Sequence, residues 1–574
     1  MEEKQTMTGY PSIDKPWLKY YTEEAINATL PECTIYEYLW ENNKDYPNNV
    51  ALNYFDRKIT YGEVFANINK ATKSYSALGL KSGDIVTVCA VTIPETIYSF
   101  YALNRLGVIC NMVDPRTSTE GIREYIKEVN SKIVITIDVA YSKIVGAIKG
   151  TNVEKIVVIS PADSLPQPKK LLFKAFKTTK IPSGNQHIKW NEFFGIGQNI
   201  EPDIATYKKN TPWVIVHTGG TTGIPKGVML SNDNLNTSAF QAIKSGFDFQ
   251  RHHTWLNIMP SFIAYGVGNG LHLPLIVGME VILIPSFNPN EFADLLNKYR
   301  PNHMVGVPSH YGNIINNKKM QNQDLSYIIA PTVGGDAMDI SLEKETNAFL
   351  AKHNCSYPAC KGYGMSEVAA GVSICSSYDV NKIGSVGIPL THTTMAIFDT
   401  TTGKELPYNE EGEICMTGPN TMVGYYNNET ETNNVIKKHD DGLMWVHSGD
   451  IGYIDEDGFV FIKDRIKRVI IRHDGFKVFP SLIEKAVDTN DNVISNCAVG
   501  IADNSHSQGK LPIVFVVLKN GRDANVVKKE LFELCQKELP EYVQPVDFVF
   551  IDKMPLTPIG KVDYRALEEK AKQI

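Results

Sequence analysis

Strand-like and helix-like segments alternate along most of this chain, and that rhythm restricts the folds open to it. YGEVFANINKATKSYSALGL places apolar residues at helical spacing, and DIVTVCAV shortly after it reads as a buried strand. GMEVILIPSF repeats the strand signal. EFADLLNKYRP then sets Phe292, Leu295, Leu296 and Tyr299 on one helical face before Pro301 ends it. A strand followed by a helix, many times over, predicts parallel sheets covered by helices. At 574 residues the chain exceeds one ordinary core, so at least two domains are expected.

The texture changes after about residue 380. SVGIPLTHTTMAIFDTTTGKELPYNEEGEICMTG has β-rich runs separated by turn residues and predicts a small β subdomain. Beyond FIKDRIKR, the helices SLIEKAV and VVKKELFELCQKEL flank strands such as LPIVFVVL, the pattern of a compact α+β domain. The boundary is expected at the charged, exposed-looking stretch Asp464 to Lys467, giving domains at 1–464 and 465–574.

Composition narrows the function classes. Hydrophobic content of 43% and charged content of 21% describe a soluble globular protein. A formal net charge of −7 argues against a nucleic-acid partner, which needs a basic face. Nine cysteines are scattered from Cys33 to Cys535 with no C-x-x-C, and Cys355 and Cys360 lack a matching second pair. They read as free thiols in a reducing compartment rather than as disulfides or a zinc site. The segment MEEKQTMTGYPSIDKPWLKYY lacks the apolar core of a signal peptide, and no stretch reaches about 18 apolar residues, so a cytoplasmic location is expected. PQPKKLLFKAFKTTK mixes Lys169, Lys170, Lys174 and Lys177 with Leu171, Leu172, Phe173 and Phe176. It fits either a solvated surface helix or loop, or at most a peripheral contact with an anionic membrane.

Four short segments carry chemistry. VIVHTGGTTGIPKGVML follows an apolar strand with Thr218, Gly219, Gly220, Thr221, Thr222 and Gly223, then Lys226. Its glycines let backbone N–H groups wrap an anion, although it departs from the usual G-x-x-x-x-G-K-[ST] phosphate loop. SNDNLN then offers Ser231 as a helix cap. KGYGMSEVAAG groups Tyr363, Gly364, Ser366 and Glu367: a ring to stack on a base, a hydroxyl for a phosphate oxygen, and a carboxylate for a hard cation such as Mg2+. VHSGDIGYIDEDGFVFIKDR supplies Asp450, read as an exposed carboxylate at a turn suited to both hydroxyls of a ribose, with Arg465 across an expected hairpin. PLTPIGKVDYRAL places Lys561 after Gly560, on a loop between two prolines and a terminal helix. Each segment alone also reads as an ordinary loop, strand end, turn or solvated charge.

Together, in this order and spacing, the four resemble the adenylate-forming superfamily: acyl-CoA synthetases, peptide-synthetase adenylation domains and beetle luciferases. The resemblance runs from ITYGEV through GEICMTGPNTMVGYYNN to the final lysine segment. It implies a large N-terminal domain of two parallel-sheet α/β subdomains plus a β-rich subdomain, followed by a small mobile α+β C-terminal domain with its hinge near Lys467. It also implies ATP and CoA as co-substrates and Mg2+ as cofactor. By the same resemblance Lys561 bridges the carboxylate and the α-phosphate, and Glu367 holds Mg2+. The 217–227 loop cradles the outer phosphates, Asp450 with Arg465 takes the ribose, and Tyr363 forms the adenine platform. Gly334, Gly335 and Asp336 in TVGGDAM match the segment lining the other adenine face and the acyl tunnel. Gly475 in HDGFKV matches the thiol path.

The sequence also departs from the common pattern. His217 stands where Tyr or Phe is usual, Gly219 where serine is usual, and Ser366 where threonine is usual; the stretch before Gly475 is one residue longer. FIAYGVGNG, VGVPSHYG and TVGGDAM are apolar and glycine-rich, which suits a medium-to-large hydrophobic acid, fatty or aromatic. MPSFIAYGVGNG carries no acid to pair an amino-acid ammonium, and GYGMSEV lacks the tryptophan of acetate-specific relatives. The chain ends shortly after Lys561, so no fused carrier domain is expected. A carboxylate–CoA ligase leads this reading. An acyl-AMP ligase loading a separate carrier protein, a non-catalytic nucleotide-binding relative and a luciferase-like oxidase stand behind it.

Overall fold

Thr60 opens the helix Tyr61–Ala77 with a capping box: its side chain accepts from the Glu63 N–H while Glu63 reaches back to the Thr60 N–H. Thr34 with Glu37 and Ser231 with Asn234 start two further helices in the same way. These caps place helices against strands throughout the computed structural model of the chain. It describes residues 7–177, 181–182, 184–218, 226–473, 477–506, 509–556 and 562–573.

Two large sheets form the body. In the nine-stranded sheet, six neighbours run parallel in the order Cys360–Met365, Ala330–Val333, His303–Gly306, Thr254–Asn257, Glu280–Leu283 and Val50–Tyr54. Its margins are antiparallel: Arg57–Thr60 on one side, Ala370–Ile374 and then Ile388–Pro389 on the other. The eight-stranded sheet likewise has a parallel run, Pro212–Thr218, Ile109–Val113, Ile85–Cys89, Ile133–Ile137, Lys155–Ile159 and His187–Lys189. Lys226–Ser231 and Gly424–Tyr425 extend it antiparallel. One continuous apolar core, from Ile35 to Tyr425, joins both sheets to their helices. The α/β rhythm of the sequence is this architecture.

The β-rich subdomain is a five-stranded antiparallel sheet built on Thr394–Phe398, Gly412–Thr417, Met444–Ile454, Ile436–Lys438 and Val460–Arg465, with a core of its own. The smaller C-terminal domain has a three-stranded sheet, Val493–Ala502, Lys510–Leu518 and Asp547–Phe550. Helices Pro480–Asp488 and Ala524–Glu538 pack on one face of it, and Tyr564–Ala571 packs on the other.

Asp464, at the expected boundary, is buried rather than exposed. Its carboxylate accepts the Ser481 N–H at 2.9 Å, tying the end of the β subdomain to the first helix of the C-terminal domain. PQPKKLLFKAFKTTK contains the helix Lys169–Lys177 with Leu171 and Leu172 exposed. Two of its lysines hold it to the body: Lys169 pairs with Asp56, and Lys170 donates to the Asp163 carbonyl. No described helix is long and apolar enough to cross a membrane.

Candidate active site

The antiparallel margins of the two large sheets and the antiparallel sheet of the β subdomain meet at one place, and each contributes part of the site. On the nine-stranded sheet, Cys360–Met365 runs into the short turn Ser366–Val368 and returns as Ala370–Ile374. The buried ion pair of Lys361 with Glu343 fixes the root of this hairpin, and Glu343 also accepts the Gly384 N–H at 2.9 Å. Such a pair is held by its geometry; removing either partner costs about 3–5 kcal/mol. Gly364 has no room for a side chain, since a Cβ would stand 1.6 Å from the Ala370 carbonyl oxygen. Ala369 and Ala370 take φ values of +53° and +102°. Backbone of that kind costs non-glycine residues about 1–3 kcal/mol each and is held in place by its surroundings. The turn directs Glu367 inward, where it is buried.

The eight-stranded sheet reaches the same point. Gly424–Tyr425 pairs with the edge strand Lys226–Ser231, and the Tyr425 hydroxyl donates to Glu367 Oε1 at 2.6 Å. Met422 N–H donates to the Glu367 carbonyl at 2.8 Å. The Lys226 ammonium lies 4.3 Å from the centre of the Tyr425 ring and 2.8 Å from Glu431 Oε2. Burial first, then the Glu367 charge, pushes the Tyr425 hydroxyl far above its ordinary value, so it stays a neutral donor.

The β subdomain adds the third part. Asp450 and Arg465 are register partners in the hairpin of Met444–Ile454 with Val460–Arg465. Arg465 Nε is 3.0 Å from Asp450 Oδ1, and the Tyr363 hydroxyl donates to Asp450 Oδ2 at 2.6 Å. Asp450 is not the exposed turn residue expected from Ser-Gly-Asp; it is buried in mid-strand, 4% exposed. The reason is a bulge: Gly449 takes φ +71°, and the strand carries extra residues opposite Glu413 to Cys415. Side chains satisfy the loosened backbone, Glu413 accepting the Gly449 N–H and Ser448 the Asp450 N–H, each at 3.0 Å. Burial and then Asp450 hold the Tyr363 hydroxyl well above its usual value, while Asp450 draws Arg465 further upward. This corner is one fixed negative group, one fixed positive group and a neutral donor.

The remaining predicted residues divide sharply. Thr218 is half-buried at the end of Pro212–Thr218, and Ser366 opens the turn, its carbonyl accepting the Ala369 N–H at 3.1 Å. Gly335 takes φ +80°, and the exposed Asp336 accepts the Ala337 N–H at 3.0 Å. Gly334 faces the Tyr265 hydroxyl, 3.3 Å from where a Cβ would stand. A Cβ on Gly268, in the π-helical turn Gly266–His272, would lie 3.4 Å from the Ala369 carbonyl oxygen. The glycine-rich segments therefore do converge beside the Glu367 turn. Lys467 lies by its backbone in the turn Ile466–Arg468, its side chain outside the described residues. Gly219, Gly220, Thr221, Thr222, Gly223, Gly475 and Lys561 also lie outside them. The last helix begins at Tyr564, whose ring centre is 5.8 Å from the Arg468 guanidinium.

His217 keeps an aromatic place with different chemistry. Its ring packs on Tyr125 at 4.1 Å between centres, and its Nε2 meets Asn111 Oδ1 at 2.6 Å. Asn111 in turn donates to Thr87 Oγ1 at 3.1 Å. Burial pushes His217 down to about 4, so the ring is neutral at physiological pH. Asn111, Tyr425 and Glu431 belong to the site's framework, and no local pattern singles them out. Tyr425 sits in GYYNN, where nothing in the spacing points to Glu367.

Comparison with known proteins identifies what this arrangement belongs to. The family model for the AMP-binding enzyme matches residues 39–426, and that for the AMP-binding enzyme C-terminal domain matches 482–561. The chain belongs to the AMP-binding enzyme family and, through it, to the adenylate-forming superfamily; it is an enzyme of the acid–thiol ligase class. It is 29% identical to a long-chain-fatty-acid–CoA ligase of Bacillus subtilis (strain 168), over 97% of this chain and 98% of the relative. It is 28% identical to a probable 4-coumarate–CoA ligase of Dictyostelium discoideum, over 96% and 97%. The crystal structure of ATP-bound MatB from Rhodopseudomonas palustris shares the fold, with a TM-score of 0.80 at 22% identity, over 94% of this chain and 99% of that one.

Proposed function

We propose that this enzyme is an ATP-dependent carboxylate–CoA ligase for a medium-to-large hydrophobic acid, fatty or aromatic. The acid is adenylated with release of pyrophosphate, and the acyl group then passes to the CoA thiol with release of AMP. The observation that carries the reading is the joining of Tyr363, Asp450 and Arg465 into one hydrogen-bonded corner beside the inward-turned Glu367. A buried carboxylate held by Arg465 and Tyr363 suits paired ribose hydroxyls, and the half-buried Tyr363 ring suits a base. The convergence of Tyr265, Gly268 and Gly334 supports a wall in which glycines leave room beside one aromatic ring. Relatives named for long-chain fatty acids and for 4-coumarate support the same substrate class.

The chemical obstacle is electrostatic. A carboxylate must approach an anionic α-phosphate, and two like unit charges 4 Å apart repel by about 4 kcal/mol at an effective dielectric constant of 20. Cations must offset this in the transition state. Glu367 fits Mg2+, being a buried oxygen donor with one oxygen already oriented by Tyr425. When bound there, the ion would supply charge neutralisation on the phosphates. Lys561 is the group we assign to the forming bond, Lys226 and the 218–223 loop to the outer phosphates, and Gly335 with Asp336 to the adenine side. Lys467 is assigned as the pivot that brings Lys561 in for adenylation and Gly475 in for thiol transfer.

The test is AMP release from MgATP with a panel of fatty and aromatic acids, with and without CoA. CoA is expected to accelerate AMP release and to yield a thioester with at least one hydrophobic acid. Formation of acyl-adenylate without any CoA thioester would overturn CoA as acceptor and leave a carrier protein in that role. ATP binding with no pyrophosphate exchange on any acid would overturn catalysis altogether.

A further inference from the structure

We infer that His473, Asp503 and His506 form a binding site for one divalent transition-metal ion of the zinc class in the C-terminal domain. His473 follows the strand Ile470–Ile471, while Asp503 and His506 lie in the turn that leaves Val493–Ala502. The two loops are locked together. Gly509, at φ +103°, packs so closely that a Cβ would stand 2.3 Å from the His473 amide nitrogen, and the Asp503 N–H donates to the Gly509 carbonyl at 3.0 Å.

The donors converge within this clamp. The two imidazole rings lie face to face, centres 3.4 Å apart and planes 4° apart. His506 Nδ1 is 2.8 Å and His473 Nδ1 3.1 Å from the same oxygen, Asp503 Oδ2. One ligand atom from each of the three residues lies within 4.8 Å of the other two. A tetrahedral zinc site with bonds of about 2.0–2.1 Å separates its ligand atoms by about 3.3–3.4 Å, close to the spacing seen here, and binding an ion requires the parallel rings to rotate until their in-plane nitrogen lone pairs meet. His473 Nδ1 is shielded from solvent and has no hydrogen-bond partner among the described residues. Its 3.1 Å contact with Asp503 Oδ2 lacks hydrogen-bond direction, so this nitrogen keeps its capacity to ligate once the ring turns.

Charge and access agree with this. The Asp503 side chain is 2% exposed. The Ser505 N–H donates to Asp503 Oδ1 at 3.0 Å and His506 Nδ1 meets Oδ2 at 2.8 Å, so both carboxylate oxygens are held in place. His506 is 45% exposed, which gives an ion a route in and room for a water ligand. Two imidazoles with one carboxylate favour a borderline cation over Mg2+, which prefers all-oxygen surroundings. Glu413, Cys415 and His447 also lie within 4.8 Å of one another. There the single imidazole has both nitrogens engaged, Nδ1 with Glu413 at 2.7 Å and Nε2 with His439 at 2.9 Å; in the C-terminal cluster His506 Nδ1 is likewise on Asp503, but His473 Nδ1 makes no hydrogen bond among the described residues. Burial also pushes the Cys415 thiol well above its usual value. That group is a closed hydrogen-bond network.

The experiment is Zn2+ equilibrium dialysis and Co2+ visible absorption on the full chain, stripped of metal and free of nucleotide. One ion per chain is expected, with binding weakened more than about tenfold in His506→Gln and in Asp503→Asn and unchanged in His447→Gln. Because Asp503 is buried, the exposed His506→Gln decides the matter if Asp503→Asn fails to fold. Unaltered binding in His506→Gln, loss in His447→Gln instead, or no stoichiometric binding in the unsubstituted protein would each overturn the site.

Discussion

Lys561 illustrates how much rests on a single charge. Lysine is the group assigned to the bond between two anions, so Lys561→Ala is expected to slow adenylate formation about a hundredfold to a thousandfold. Thioester formation from supplied acyl-adenylate is expected to survive. Single-turnover assays of each half-reaction check this, and equal loss of both would contradict the two-pose assignment. Tyr425 gives a subtler case. Its hydroxyl orients Glu367 Oε1 from 2.6 Å, and hydrogen bonds to charged groups contribute about 1.5–3 kcal/mol. Tyr425→Phe is expected to shift the Mg2+ concentration giving half-maximal adenylation by roughly tenfold while leaving the preference among acids intact. A changed acid preference with an unchanged Mg2+ requirement would place Tyr425 in the acyl wall instead.

The candidate site belongs to antiparallel pairings, not to the parallel sheet centres. Parallel strands supply the rigid body, and the candidate residues stand at the margins of the two large sheets, Lys226 with Tyr425 and Glu367 after Tyr363, and in the antiparallel β subdomain, Asp450 beside Arg465. Turns and bulges in these hairpins re-aim individual side chains, which a regular run of strand does not do. Two glycines in these hairpins should therefore respond differently to the same change. A Cβ on Gly364 meets backbone, so Gly364→Ala is expected to prevent normal folding or lower the melting temperature by many degrees. Gly449 has open space around its Cβ position but φ +71°. Gly449→Ala is expected to cost only about 1–2 kcal/mol and to act chiefly on the KM for ATP through Asp450. Thermal melts with ATP titrations distinguish the two, and equal damage from both would discount the bulge.

At the scale of the whole molecule, buried neutral histidines set the acid limit. Burial pushes His217 and His310 down to about 4, and His272 and His303 to about 3. His272 bridges Tyr101 and Asn236, and His303 meets His253 at 2.9 Å, so each ring sits in a hydrogen-bonded place suited to the uncharged form. Their folded values lie below the unfolded value of about 6.5. The unfolded chain therefore binds more protons as the solution acidifies. Stability is complete above pH 6.5 and falls as pH drops through about 4, by roughly 3–5 kcal/mol for each fully buried ring. Urea midpoints measured from pH 7.5 to 4 should decline steadily below 6.5. A flat profile would mean that these rings protonate in place.

Local sequence determined the elements and the chemical repertoire. The helix over Tyr61–Ala77, the strand after it, the β-rich texture past residue 380 and the Ser231 cap all follow from periodicity and capping, which act within a few residues. Tyr363, Asp450 and Arg465 were each legible in short motifs. That Asp450 is buried in a bulge, that Tyr425 addresses Glu367, and that His473 meets Asp503 and His506 were decided by tertiary structure alone. Depth and long-range pairing depend on which strands become neighbours and how far each hairpin folds inward. No window of sequence contains that information, because the partners it would have to name lie tens to hundreds of residues away.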